Sequence, residues 1–193
     1  MPATVAFKEW QIVCNALATG RQSLILRKGG IHEGRAGFSF AHDSFFLFPT
    51  RFHAQGALVR EGDVTQQGEW QPGEIVRLTH PATVLRAITL DRWDTVVSLE
   101  PFHIHAESNL RERFDWQGKG MHSGSLHVSL VDVRALTHPW ELPYTTAFGG
   151  CRSWIDLPDP PPGCLDDALP AADPSVLKML IEHPAFADPV ANA

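Results

Sequence analysis

The run Pro158-Asp159-Pro160-Pro161-Pro162-Gly163 limits what this chain can fold into more than any other stretch. Proline fixes φ and lacks an N–H, so four prolines in six residues exclude helix and central strand and favour an extended polyproline conformation. The chain thereby reads as a globular body over residues 1–157, a proline-rich linker over 158–173, and a short C-terminal helix and tail over 174–193. Charge divides at the same place. Residues 1–155 carry fifteen Lys and Arg against fifteen Asp and Glu, whereas residues 156–193 carry one Lys against seven carboxylates, the whole of the net charge of -6. Twelve of the body's fifteen cations are arginines. That bias suits planar pairing with carboxylate or phosphate, and a GC-rich genome gives the same bias.

The body is long enough for one domain with its own core. No apolar run approaches the roughly 20 residues a membrane helix needs. The first residues lack the charged and apolar regions of a signal peptide. Cys14, Cys151 and Cys164 form no CxxC pair and no even framework, which points to a reducing cytoplasm.

Phe7, Trp10, Val13 or Cys14, and Leu17 recur at helical spacing, which predicts an N-terminal helix over 5–18 closed by Gly20. A short buried strand over 23–26 follows, then a loop over 29–37 with four glycines. A second apolar run over 45–48 is closed by Pro49, and 51–55 can open a short helix capped by Thr50. After the Pro72-Gly73 turn, β-branched content predicts strands over 74–78, 83–90 and 95–105, with 91–94 as a hairpin loop between the last two. A short helix over 109–116 and the clearest strand, 125–134, come next. Residues 136–157 read as aromatic and irregular, and Asp173-Pro174 starts the tail helix. The sum is an α+β fold: an N-terminal helix packed on a curved, mostly antiparallel sheet, then a tethered helix.

The chemistry-bearing residues begin where the first strand ends, at Arg27-Lys28-Gly29-Gly30. Two cations before two glycines offer charge and exposed backbone N–H groups to an anion such as phosphate, although the order is not that of a P-loop. A solvated strand end with a flexible turn is the plainer account. Arg51 and His53 can share a cleft with Lys28, with His53 as acid or base, or else His53 is a surface residue beside a capped helix. Glu9 is a candidate base or metal ligand, or a pairing partner for Arg27 or Lys28. Arg111 and Arg113, with Phe114, Trp116 and Lys119, form the richest basic and aromatic cluster, which suits single-stranded nucleic acid or is an ordinary amphipathic segment. His103 and His105 share one face if they lie on a strand, a weak metal pair that lacks a supporting carboxylate or cysteine. No cofactor is predicted, and a divalent metal stays open.

Three phrases together resemble the DUF1802 family of uncharacterised bacterial and archaeal proteins: Phe7-Lys8-Glu9-Trp10, Leu24 through Ile31, and Phe46-Leu47-Phe48-Pro49-Thr50. Gly149-Gly150-Cys151-Arg152-Ser153-Trp154 is similar to a further part of that family, and the resemblance covers most of 5–157. It implies no established activity. A helix, the turn Gly20-Arg21-Gln22, a strand ending in Arg27 and the later Pro72-Gly73-Glu74 also resemble PUA-like folds, ASCH domains in particular. That likeness implies a barrel-like sheet and nucleic-acid binding. Gln22 stands where a lysine is usual, and a long insert separates strand from turn.

Three functions follow as expectations. The first is a nucleic-acid-binding module for RNA or single-stranded DNA, built on Arg27, Lys28, Gly29, Gly30, Arg51, Arg111 and Arg113. The second is a hydrolase or nuclease whose Glu9, Lys28 and His53 converge, with or without a metal. The third is an adaptor, or a homo-oligomer, that docks through the C-terminal tail. None involves a membrane.

Overall fold

A computed structural model describes residues 4–28, 40–51, 58–60, 68–116, 124–170 and 173–186. The N-terminal segment corrects the first expectation. Val5–Trp10 is a strand, β1, and the helix, α1, begins only at Gln11 and runs to Ala18. The cause is burial on both faces. Val5 and Phe7 pack into one cluster beneath α1, and Ala6 packs into a second cluster on the other face with Phe46, Trp140 and Ile155. A strand covered on both sides carries apolar residues at every position, so its alternation disappears and an accidental helical spacing remains.

Around β1 the chain builds β2 (Leu24–Arg27), β3 (Ser44–Thr50), β5 (Pro81–Leu90), β6 (Leu126–Ala135) and β8 (Trp154–Asp156), in the spatial order β2-β6-β5-β3-β1-β8. Only β1 and β3 run parallel; the remaining pairs are antiparallel. β2 and β8 stand at opposite ends of this path, so the mixed sheet is not closed into a barrel. A register shift between Val84 and Arg86 bends the β5–β6 ribbon. A second ribbon pairs β4 (Ile75–Leu78) with β7 (Trp140–Pro143), and β9 (Leu169–Pro170) adds to the end of β6.

Residues 95–105 are not a strand, and 91–94 is not a hairpin loop. Trp93–Ser98 forms α2 and Glu100–Phe102 a 3₁₀ turn. Val96 and Leu99, three apart, are buried, while Val97 and Ser98 between them are exposed, and this helical period overrides the β-branched content. α3 (Glu107–Asp115) follows, and its Leu110 and Phe114 pack with Leu24, Leu26, Val128 and Leu130 of the sheet. The expected irregular stretch after Leu136 contains β7, a 3₁₀ turn at Thr146–Phe148, and β8.

The tail helix α4 (Ser175–Ile181) lies on the body. Leu180 and the later Phe186 are both buried in the cluster that contains Leu24 and Leu26. Arg86 Nη1 donates to the Phe186 carbonyl at 2.8 Å, and Arg134 donates two bonds to the Ala168 carbonyl. Gly20, with φ +75°, lets Asp173 approach so closely that a Cβ would lie 1.9 Å from its carbonyl oxygen. Among the described residues, no helix is long and apolar enough to cross a membrane.

A cationic, aromatic-lined candidate site

The cleft forms where the sheet thins. β3 pairs with β5 only at Ser44–Phe46, so beyond Leu47 it keeps β1 as its one strand neighbour. Pro49 is tolerated there because it has no N–H to offer a second partner. The helix expected after Thr50 lies outside the described residues. Thr50 itself ends β3, and its hydroxyl donates to the Glu9 carbonyl at 3.0 Å. The parallel ends of β1 and β3, the end of β2, and the segments around Trp70 and 144–152 enclose a cavity of about 490 Å³, within the usual range for ligand sites.

Arg27 joins the two ends of the open sheet. From the end of β2 its Nη2 donates to Ser153 Oγ at 2.7 Å and its Nη1 to the Lys8 carbonyl at 3.4 Å. Behind it lies Glu9, only 1% exposed, with Oε2 at 3.6 Å from Arg27 Nη1 and Oε1 accepting the Trp10 N–H at 2.8 Å. Arg113 comes from α3 beneath the cleft. It donates to the Leu26 carbonyl at 2.8 Å and lies 4.6 Å from the Trp10 ring centroid. Burial lowers its pKa to about 10, with Arg27 adding to the shift and Glu9 opposing it.

Lys8 lines the cleft at 9% exposure, and its Nζ donates to the Gly150 carbonyl at 2.6 Å. Its pKa is lowered, first by burial and then by the like charges of Arg152 and Arg27, with Cys151 opposing. Arg152 donates to the Ala147 carbonyl at 2.7 Å. On the opposite wall, the Arg51 guanidinium lies 3.2 Å from the Trp70 ring centroid and 3.7 Å from Glu74. Trp70 is fixed by its Nε1 donating to the Pro49 carbonyl at 2.7 Å and stacks near parallel to Tyr144, 6.2 Å between centroids. Cations and half-buried aromatic rings thus share one cavity, a combination that recognises phosphate and base together.

Of the residues singled out from sequence, Arg27 and Arg51 line the cleft, whereas Glu9 and Lys28 do not. Lys28 Nζ donates to the carbonyls of Phe114 and Ser125, tying the end of α3 to the start of β6. Gly29, Gly30 and His53 lie outside the described residues. Arg111 and Arg113 diverge on α3: Arg111 pairs with Asp115 at 2.6 Å and covers Trp93, away from the Trp10 side where Arg113 lies. His103 and His105 are not on a common strand. Each is 1% exposed, and their ring centroids are 5.7 Å apart. Burial and the charge of Arg60 and Arg21 hold His103 near a pKa of about 4, and His105 lies well below its ordinary value. Among the described residues no group of three or more metal-capable side chains occurs. Lys8, Trp70, Tyr144 and Arg152 were not singled out as site residues. Lys8 and Arg152 fall in two of the phrases that carry the family resemblance.

The profile described as "Domain of unknown function (DUF1802)" matches residues 6–179. The chain belongs to the DUF1802 family. Among solved structures it is similar to the crystal structure of ASCH from Zymomonas mobilis, at 11% identity, with 81% of this chain and 88% of that one covered and a TM-score of 0.48. Two single-substitution variants of the same Zymomonas mobilis protein match over 81% of this chain. One has a TM-score of 0.46, 10% identity and 89% of its own chain covered, the other 0.46, 13% and 91%. No curated protein matches the chain.

Proposed function

We propose that this protein binds single-stranded nucleic acid, RNA or DNA, in the cleft between the ends of β1, β2 and β3. The observation that carries the reading is Lys8 beside Arg152. Two cations share a wall, their hydrogen bonds go to backbone carbonyls, and neither has a carboxylate within ion-pair distance among the described residues. A phosphate supplies the charge that these groups lack. Opposite them, Trp70 and Tyr144 offer ring faces on which an unpaired base stacks; bases inside a duplex are already stacked and cannot enter. Arg27 and Arg51 extend the cationic surface on either side.

The test is fluorescence anisotropy with a labelled single-stranded oligonucleotide and the matching duplex. The single strand is expected to bind and the duplex to bind at least about tenfold more weakly. Trp70→Ala and Arg27→Ala should each weaken binding by about tenfold, the scale of one stacked base or one charge-assisted hydrogen bond. Equal affinity for duplex and single strand, or binding unmoved by both substitutions, overturns the reading.

A further inference from the structure

The cleft's cations are not spread evenly. Lys8, Arg27 and Arg152 gather at one corner, where the segment before β8 turns back across β1. Arg27 faces a counter-charge in Glu9, but Lys8 and Arg152 do not, so the corner carries an excess of about two positive charges. Lys8, at 9% exposure, is reachable by the tip of a ligand and not by the middle of a chain. An internal phosphodiester has two free oxygens, one negative charge and a sugar on either side. A phosphate monoester has three free oxygens, carries about −1.5 to −2 at neutral pH and has only one bulky substituent.

We propose that this corner is a subsite for a terminal phosphate monoester, the phosphorylated end of a strand or of a free nucleotide. The proposal rests on the reading of the cleft as a nucleic-acid site and narrows it to ends. The monoester's three oxygens face Lys8, Arg27 and Arg152, while its nucleoside extends toward Trp70.

The experiment is anisotropy with one short single strand made in three forms, 5′-phosphorylated, 3′-phosphorylated and hydroxyl at both ends, with adenosine monophosphate as a competitor. One phosphorylated form is expected to bind about tenfold tighter than the hydroxyl-ended strand. Arg152→Ala, at an exposed position, and Lys8→Met should erase that preference, weakening the phosphorylated strand more than the hydroxyl-ended one. Competition by the nucleotide assigns the corner to free nucleotides as well; no competition assigns it to strand ends, and both support a monoester site. Equal binding of all three forms overturns the subsite while leaving single-strand binding intact. Failure of every probe, nucleotide included, removes both readings.

Discussion

Glu9 shows how a single buried charge organises the site. Its carboxylate is almost wholly enclosed, and its neighbouring charges are Arg27 at 3.6 Å and, through α3, Arg113. Removing it leaves Arg27 and Arg113 facing each other with no compensation, so Glu9→Gln should destabilise the fold by about 2 kcal/mol in urea denaturation, less than for a fully buried pair because Arg27 is partly wet. The histidines behave oppositely. His103 is buried neutral with a pKa of about 4, below the ordinary 6.5, so the unfolded chain takes up a proton that the folded chain refuses. Stability is therefore complete above pH 6.5 and declines as pH falls toward 4. Denaturation midpoints at pH 7, 5.5 and 4.5 should show that slope, and His103→Leu should make it shallower while leaving the share that the equally buried His105 contributes; an unchanged slope contradicts the assignment. Arg27 and Arg51 were legible in the sequence because each stands beside the end of an apolar run. Lys8 was not, because its neighbours read as a helix whose polar face needs no explanation.

At the scale of elements, the two misreadings have separate causes. β1 was mistaken for a helix because it is covered on both faces, and α2 for a strand because Thr95, Val96 and Val97 favour strands locally while Val96 and Leu99 are drawn inward three apart. Strands 83–90 and 125–134, where polar residues such as Arg86, His127, Ser129 and Asp132 interrupt the apolar ones, were legible to within a few residues. Local pattern reports the exposure of an element, and a doubly covered element has none to report. The junction at Gly20 gives the sharpest test of packing between elements. Gly20→Ala must overcome both φ +75° and the Asp173 carbonyl, and should cost about 2 kcal/mol or more. Gly73→Ala, at φ +91° but facing open space, should cost about 1 kcal/mol. Thermal denaturation of the two variants side by side checks the order; equal losses mean that Asp173 does not press on α1.

For the whole molecule, the tail stands apart from the cleft in charge and in place. Its carboxylates account for the negative net charge, and no described residue beyond Arg152 lines the cleft. The helix expected to hang from a linker places Leu180 and Phe186 in the body's core. Leu180→Ala should therefore cost about 2–4 kcal/mol, a loss that a free tail would not show. Its readout is the midpoint of a single cooperative unfolding transition. Because the body carries no net charge and the proposed contacts lie in one cleft, binding should depend on salt only moderately. Two or three phosphate contacts give a slope of log K against log salt of about −1.5 to −2 for a single strand. A slope far steeper would point to a broad surface in place of a cleft.

The central claim is that single strands enter this one cavity, and photo-crosslinking reads it directly. A 4-thiouridine-containing single-stranded RNA, irradiated with the protein and mapped by mass spectrometry, should attach to peptides that contain Trp10, Trp70 or Tyr144. Crosslinks concentrated on the Arg111 and Trp116 side of α3, with none in the cleft, would contradict the account.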